Sequence, residues 1–186
     1  MSALPDEMAT ARLRLRRWRE SDAEELRRVL DDNDAHLRPW IPFMKDEPRS
    51  LEATRERIAT FVQSFDCGEH HRYAIRERTS GVLLGETMLL DRGGPGTREI
   101  GYWLDRAHCG LGFASEATAE LPELAFACLG VERVILRCDE RNTASLSVAR
   151  RLHALPIGFE DLIENGQPVR LVVLERRRPL AVGPAR

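Results

Sequence analysis

The chain has 186 residues, of which 42% are hydrophobic and 31% charged, and its formal net charge at pH 7 is -2. This length and composition predict one domain over residues 1–186, with a single core and flexible ends at about 1–9 and 179–186. The charge balance argues against direct nucleic-acid binding, and the lack of a long apolar run or a signal-peptide centre predicts a cytoplasmic protein without a membrane segment.

The cysteines and the lysine exclude two kinds of site. Cys67, Cys109, Cys128 and Cys138 show neither CxxC spacing nor a histidine at metal-ligand spacing. We therefore expect reduced thiols rather than disulfides or a metal site, each buried as a small hydrophobic residue. Lys45 is the only lysine and is far from any glycine-rich turn. This excludes a phosphate loop of the GxxxxGK(S/T) type, which needs a lysine beside its glycines.

The first half of the chain alternates strand and helix patterns. RLRLRRW alternates basic and apolar residues and predicts a strand that ends near Trp18. Ser21 and Glu24 have the spacing of a capping box before the helix AEELRRVLDD. HLRPWIPFM, residues 36–44, predicts a loop or short turn that exposes or packs an aromatic cluster, because it contains two prolines. LEATRERIATFVQSF predicts an amphipathic helix.

The second half continues this alternation. RYAIRER and GVLLGETMLL predict a hairpin around the turn TSG, and DRGGPGT predicts a loop before the strand REIGYWLD. Next come a helix (FASEATAELPELAFACLG) with a C-capping Gly130, a strand (VERVILRCD), a helix (NTASLSVARRL) and the strands IGFEDLI and PVRLVVLERR. We predict an α/β (α+β) domain with a mixed sheet, and a disordered tail RPLAVGPAR.

Two glycines stand between a strand and a helix start in EIGYWLDRAHCGLGFASEA, residues 99–117. Backbone N–H groups at such a turn point to one spot, where the helix dipole favours an anion, and Gly110 and Gly112 would let the backbone approach it closely. A purely structural turn explains the same glycines. A dinucleotide-binding GxGxxG motif does not fit, because Ser115 stands where its third glycine belongs.

EIGYWLDRAHCGLGFASEA and, further along, CDERNTASLSVARRL resemble the GCN5-related N-acetyltransferase (GNAT) superfamily. Within it they resemble the RimJ and RimL branch of ribosomal-protein N-terminal acetyltransferases. The resemblance spans about residues 9–178. It implies a single domain whose central, mostly antiparallel mixed sheet is splayed at the cofactor site and flanked by helices. It also implies acetyl-CoA as the cosubstrate, with no metal.

The pyrophosphate motif of the family, Q/R-x-x-G-x-G/A, corresponds to residues 109–114. Cys109 stands in place of its first residue, Leu111 replaces a common basic residue, and Gly112 and Ala114 match its second glycine and final small residue. The resemblance implies that the following residues bind the cofactor: Tyr102, Trp103, Leu104, Cys109, Gly110, Leu111, Gly112, Phe113, Ala114, Ser115, Asn142 and Ser145.

Two features depart from the family pattern. Pro122 lies inside the helix predicted after the phosphate loop, where a proline costs about 3 kcal/mol or kinks the helix. The segment HALPI, residues 153–157, makes the connection between ARRL and the dipeptide GF longer than is usual in the family. Either feature is expected to reshape the acceptor end of the site.

Ser145 is the first catalytic candidate. It lies one helical turn after Asn142, which is expected to cap that helix, and the two residues share a face. By resemblance, Asn142 contacts the cofactor near its reactive end, and Ser145 donates a hydrogen bond or proton to the leaving thiolate. Tyr102 and Trp103 either pack in the core or belong to a strand that offers its backbone to the pantetheine chain.

Several side chains are candidates for the general base. At neutral pH an α-amine, with a pKa of 7.7–8.0, loses its proton at a cost of about 1 kcal/mol, against about 4 kcal/mol for a lysine-type amine. A weak base or a water relay is therefore enough for an α-amine. Glu86 and Glu99 are favoured because strand positions point into the cleft between the sheet halves, with Glu69, His70 and His71 as further candidates.

Three functions are consistent with these residues. The first transfers acetyl from acetyl-CoA to a protein or peptide N-terminal amine, such as that of a ribosomal protein. The second acetylates a small amine, for example an aminoglycoside, polyamine or peptide antibiotic. The third is a non-catalytic acyl-CoA-binding protein. HLRPWIPFM and HALPI are expected to line the acceptor side, and the extended last strand PVRLVVLERR predicts a homodimer through its edge.

Overall fold

A single sheet of eight strands runs through the computed structural model, which describes residues 3–164 and 166–179. The strands are β1 (Glu7–Ala9), β2 (Leu13–Arg17), β3 (His71–Glu77), β4 (Leu83–Leu90), β5 (Thr97–Leu104), β6 (Arg133–Asp139), β7 (Leu155–Glu164) and β8 (Gln167–Arg177). Their order across the sheet is β1-β2-β3-β4-β5-β6-β8-β7. The predicted single domain with a mixed, mostly antiparallel sheet is confirmed.

The sheet opens in its middle, between β5 and β6. These two strands are the one parallel pair in the described sheet, and they pair from Thr97 with Arg133 to Glu99 with Ile135. β5 then continues to Leu104 and β6 to Asp139 without further pairing to each other. The strands therefore part after Glu99, as the family resemblance implied, and the backbone of β5 beyond that point has no partner on its β6 side.

Helices cover both faces of the sheet. In the described chain they are α1 (Ala23–Asp32), α2 (Asp34–Leu37), α3 (Leu51–Asp66), α4 (Phe113–Thr118), α5 (Leu121–Cys128) and α6 (Thr143–Arg151). Alternation along β5 separates two cores: Ile100 and Leu104 pack with α4, α5 and α6, whereas Trp103 packs with α1 and α3. None of these helices is both long and apolar enough to cross a membrane.

The helix predicted after the phosphate loop is in fact two helices, α4 and α5. Pro122 is the second residue of α5, where the N–H that proline lacks would have no intrahelical partner. The prediction of one continuous helix with Pro122 in its interior was therefore wrong, because the helix breaks after Thr118 and the proline stands in a first turn, where it costs little. Gly130 follows the C-cap residue of α5 with φ 67°, as its predicted role requires.

One other local prediction is corrected. Ser21 and Glu24 do not form a capping box, because a 3-10 turn over Glu20–Asp22 precedes α1 and the carboxylate of Asp22 accepts the N–H of Arg19 at 2.9 Å. HLRPWIPFM takes the second of its two predicted forms, a short turn, since it contains the end of α2 and a 3-10 turn over Pro42–Asp46.

The chain ends also differ from the expectation. Residues 7–9 are not a flexible end, because they form β1, and Leu4 is 5% exposed in the core. The last strand, β8, lies between β6 and β7 and has no free edge, so the reason for expecting a homodimer was wrong; the edge strand is β7. HALPI contributes the first residues of β7. Of the predicted flexible C-terminal end, residues 180–186 lie outside the described residues.

The cysteines of residues 3–164 and 166–179 form no disulfide, and they differ in burial. Cys138 is buried on β6, whereas Cys67 and Cys109 are exposed, so the prediction of burial was wrong for these two. Cys67 is the C-cap residue after α3, and Cys109 lies in the loop after β5, where neither strand nor helix packing covers a side chain. The position of Cys109 places a thiol at the mouth of the opened sheet.

Candidate active site

The loop between β5 and α4 holds the two glycines at left-handed backbone angles. Gly110 has φ 77° and Gly112 has φ 82°, a region that residues with a Cβ avoid. Gly112 is the N-cap residue of α4, so the turn into the helix requires it. A Cβ at Gly110 would meet nothing within 4 Å, so the space beside this loop is open. The glycines thus serve the turn and leave its backbone accessible.

An arginine that the sequence analysis missed fixes this loop to the rest of the domain. Arg12 donates from Nη1 to the carbonyl of Leu111 at 3.0 Å and from Nε to the carboxylate of Glu116 at 2.6 Å. Its guanidinium lies 4.3 Å from the centre of the Phe113 ring. Because these partners are about a hundred residues away in the chain, no local pattern indicates the contact. Arg12 supplies the positive charge near the loop that Leu111 does not.

Other residues of the loop bind neighbouring elements. The Cys109 thiol lies 3.5 Å from Nε2 of His36 on α2, and partial loss of water around the exposed side chain, with the nearby Asp105 carboxylate, raises the pKa of the thiol. Ser115 accepts a hydrogen bond from Arg151 of α6 at 3.2 Å. Ala114 is partly buried against the core, and Phe113 and Leu104 are buried in it. The loop is therefore held by α2 on one side and α6 on the other.

Ser145 lies at the start of α6, facing the opening between β5 and β6. The side-chain oxygen of Asn142 accepts the backbone N–H of Ser145 at 3.0 Å, which confirms the predicted cap. The Ser145 hydroxyl lies 2.7 Å from the hydroxyl of Tyr102 on β5 and accepts the Cys138 thiol of β6 at 3.5 Å. Groups from both separated strands thus meet at Ser145, with Asn142 one turn behind it.

Burial sets the protonation state of this cluster. It raises the pKa of Tyr102, which the hydrogen bond with Ser145 lowers only in part. Burial likewise raises the pKa of the Cys138 thiol. Both groups are therefore neutral near pH 7 and act as hydrogen-bond partners rather than as charges.

Glu86, one of the two favoured bases, is enclosed in a hydrogen-bonded cluster. Its carboxylate is 2% exposed and accepts the indole N–H of Trp18 at 2.9 Å and that of Trp103 at 3.0 Å. Arg72 adds an ion pair at 3.2 Å. Trp103, which the resemblance assigned to the cofactor, is thus a buried partner of Glu86 on the face away from Ser145. These contacts favour a positioning role for both residues.

Glu99, the other favoured base, lies at the point where the strands part. It is the last residue of β5 that pairs with β6. Its carboxylate forms an ion pair with Arg137 of β6 at 2.7 Å, and Arg137 also binds Glu160 of β7 at 2.8 Å. A row of alternating charges therefore runs from the opening toward the edge of the sheet. Of the two favoured carboxylates, Glu99 is the one at the opening.

The remaining candidate bases lie apart from Ser145. His71 is 3% exposed and packs edge-on against Phe65 of α3 with ring centres 4.9 Å apart, and burial lowers its pKa to about 4. His70 accepts the backbone N–H of Asp91, and Glu69 is exposed beside it. Across residues 3–164 and 166–179, no group of three or more His, Cys, Asp or Glu side chains is arranged to hold a metal ion.

Three features of the site are typical of an acyltransferase that uses a coenzyme A thioester. They are the opening between the parallel strands β5 and β6, the glycine turn before α4, and the start of α6 with the Ser145 hydroxyl. Residues 12–154 match the family model described as "Acetyltransferase (GNAT) domain". The chain therefore belongs to the GNAT acetyltransferase family, and it is an acetyl-CoA-dependent acyltransferase, as the resemblance predicted.

Individual relatives agree with this assignment. The chain is 28% identical to "Probable N-acetyltransferase YjcK" of Bacillus subtilis over 150 aligned residues. The alignment covers 78% of this chain and 83% of that protein. Its fold superposes on RimL, a ribosomal L7/L12 alpha-N-protein acetyltransferase in complex with coenzyme A, with a TM-score of 0.82 and 25% identity, over 91% of this chain and 96% of that one.

A neighbour with a different substrate shares the fold alone. The microcin C7 self immunity acetyltransferase MccE, in complex with acetyl-CoA and AMP, superposes with a TM-score of 0.83 over 95% of this chain and 99% of that one, at 18% identity. Proteins with this fold thus act on different acceptors, and the acceptor must be argued from the site itself.

Proposed function

We propose that this chain transfers the acetyl group of acetyl-CoA to the N-terminal α-amine of a protein or peptide. The observation that carries the proposal is the hydrogen bond between Ser145 and Tyr102 at the opening between β5 and β6. It places a neutral donor where two separated strands and a helix start converge. The likeness to RimL, at 25% identity over nearly the whole chain, supports an α-amine as the acceptor.

The acceptor side of the reaction needs only a weak base. Glu99 at the opening is held by an ion pair with Arg137 of β6 at 2.7 Å. An α-amine suits this base because its deprotonation costs about 1 kcal/mol at neutral pH, against about 4 kcal/mol for a lysine side chain. We assign Glu99, directly or through a water, to accept the proton that the amine releases.

The other residues bind the cosubstrate and complete the transfer. Acetyl-CoA supplies the thioester carbonyl that the amine nitrogen attacks, so that a C–N bond forms and the C–S bond breaks. The Ser145 hydroxyl passes a proton to the departing sulfur, and a proton from solvent, relayed through the Tyr102 hydroxyl, restores the serine. The backbone of residues 109–114 and the unpaired side of β5 hold the pyrophosphate and the pantetheine chain, and Asn142 keeps Ser145 in place. The open space beside Gly110 fits this assignment.

The proposed place of action is the cytoplasm, where cysteines stay reduced and where ribosomal proteins are made. A ribosomal-protein N-terminus is the proposed partner, on the strength of the RimL likeness. Neither nucleic acid nor a membrane has a part in the proposed reaction.

The experiment that tests the function compares matched acceptors. The protein and acetyl-CoA are incubated with a peptide that has a free N-terminus and no lysine, and with the same peptide N-terminally blocked and extended by one lysine. Intact mass and release of free thiol are measured. We expect one acetyl group on the first peptide and none on the second. Turnover confined to polyamines or aminoglycosides would instead assign the protein to small-amine acetylation.

A further inference from the structure

A solvent-open cavity lies on the acceptor side of the domain. Its volume is about 240 Å³, and it is lined by Arg38, Ile41, Pro42, Lys45 and Glu164. One wall is the segment from α2 through the 3-10 turn over Pro42–Asp46, and the other is the end of β7. Sites for drug-sized molecules are about 300–1,000 Å³, so this one suits a single side chain of a larger ligand.

The first wall is tied to the cofactor loop. Asn33, next to α2, accepts the backbone N–H of Arg106 at 2.8 Å, and His36 within α2 lies 3.5 Å from the Cys109 thiol. These contacts fix the segment that leads into the cavity against the loop that follows β5. A ligand in the cavity is therefore beside the cofactor-binding side of the molecule rather than on a remote surface.

The second wall is tied to the opening of the sheet. β7 runs in the same direction as β6, because both are antiparallel to β8, so Glu164 lies at the end of the sheet toward which β5 and β6 diverge. Arg137 links Glu99 at the opening to Glu160 of β7, four residues before Glu164. Glu160 and Glu164 are four residues apart on β7 with no bulge between them, so they lie on the same face of the sheet.

The lining carries more positive than negative charge. Arg38 and Lys45 face one carboxylate, that of Glu164. Arg38 is also held by Asp34 and by the carbonyl of Glu47, which leaves it fixed in place. No carboxylate of residues 3–164 and 166–179 is within 4.0 Å of the Lys45 ammonium group. The only lysine of the chain is thus available for a ligand.

We propose that this cavity binds an acidic side chain in the first few residues of the acceptor, behind the amine that is acetylated. The proposal rests on the proposed function and narrows it to acceptors with an acidic N-terminal region. Arg38 and Lys45 pair with the carboxylate, while Ile41 and Pro42 contact the aliphatic part of the side chain. The charge of Lys45 selects the acceptor and takes no part in the chemistry.

The test uses peptides that differ by one group. A peptide with Glu at its second, third or fourth position is compared with the same peptide carrying Gln. We expect kcat/KM to favour the acidic peptide by about five-fold, the upper range for a partly exposed ion pair. Lys45→Gln should remove the preference, and Lys45→Glu should reverse it. Arg28→Gln is the matched control, because Arg28 is an exposed cation of α1 outside the cavity.

Binding is measured separately from turnover, so that the two proposals fail in different ways. Calorimetry follows the same peptides with the α-amino group removed. Lys45-dependent binding of the acidic peptide without acetylation of any peptide would support the cavity assignment and overturn the proposed function. Acetylation with equal kcat/KM for both peptides, unaffected by Lys45→Gln, would overturn the cavity assignment alone. The cavity assignment would also be overturned if only the kcat/KM for a phosphate-bearing small amine depended on Lys45.

Discussion

The hydroxyls of Tyr102 and Ser145 lie 2.7 Å apart and join β5 to α6 across the opening of the sheet. Tyr102 also approaches the backbone carbonyl of Ser145 at 3.2 Å. With its proton directed to that carbonyl or to the Ser145 oxygen, Tyr102 fixes the rotamer of the serine. The strand proposed to hold the pantetheine chain and the helix proposed to carry the proton donor are therefore positioned by one contact.

Replacing Ser145 by alanine tests the proposed proton donor. The departing thiolate then has no donor from α6, so kcat should fall about 100-fold, the lower range for general acid catalysis, while the Kd of acetyl-CoA changes little. Stopped-flow thiol detection and calorimetry measure the two constants. Ser147→Ala is the control on the same helix, since Ser147 bonds the carbonyl of Thr143 instead. Unchanged kcat in Ser145→Ala would assign the proton transfer to another group.

Alanine substitutions at two glycines distinguish the contribution of a glycine to the turn from its contribution to cofactor binding. Gly112 and Gly81 have φ 82° and 75°, so alanine at either position should lower the free energy of unfolding by about 1 kcal/mol. Only Gly112→Ala places a methyl group in the loop after β5, so only this variant should weaken acetyl-CoA binding, by about ten-fold. Calorimetric titration with acetyl-CoA measures the difference. Equal binding by both variants would contradict the role given to residues 109–114.

The two carboxylates on either side of Arg137 test the base. Glu99→Gln should lower kcat/KM for the acceptor at least about ten-fold, because an amide cannot accept the proton that the amine releases. Glu160→Gln is the matched control, because it loses an ion pair with the same guanidinium at 2.8 Å but lies away from the opening. It should change kcat/KM less than about three-fold. Equal effects in the two variants would mean that Glu99 acts only by holding Arg137.

Local sequence patterns were enough to predict most of the strands, the Asn142 cap and the glycine turn, because each of these features depends on residues close in the chain. The β5–β6 opening came from the family resemblance, since strand parting depends on packing of distant elements. Helix α4 was predicted to continue through Pro122 because the apolar spacing continues, whereas the missing N–H of the proline starts a new helix there.

The candidate site shows the same limit. Ser145 could be found from Asn142 and the family pattern, but its contact with Tyr102 joins residues 43 apart in the chain. Glu86 and Glu99 look equivalent in the sequence, as strand carboxylates. They lie on the same face of the sheet, because Glu86 pairs with Trp103 and Leu90 with Glu99 across β4 and β5. Their difference comes from their neighbours: Trp18 and Trp103 enclose Glu86, and Arg137 holds Glu99 beside the opening.

Glu86 should contribute chiefly to stability. Glu86→Gln leaves Arg72 and two indole N–H groups without a buried carboxylate, so the free energy of unfolding should fall by about 3 kcal/mol or more. Urea denaturation followed by tryptophan fluorescence measures it, with Glu69→Gln as the exposed control. A double-mutant cycle with Arg72→Met should show coupling. A stable Glu86→Gln variant whose kcat/KM falls as far as that of Glu99→Gln would instead restore Glu86 as the base.

His71 should make stability depend on pH on the acid side. Burial lowers its pKa from 6.5 to about 4 in the folded protein, assisted by the charges of Arg98 and His70. Between these values the unfolded chain binds the proton and the folded chain does not, so the free energy of unfolding falls as the pH drops from 6.5 to 4 and is unaffected by this group above and below. The full loss is about 3 kcal/mol. His71→Leu should flatten that slope in urea denaturation at several pH values, whereas His153→Asn at an exposed position should retain it. A slope unchanged in His71→Leu would show that other groups cause the acid sensitivity.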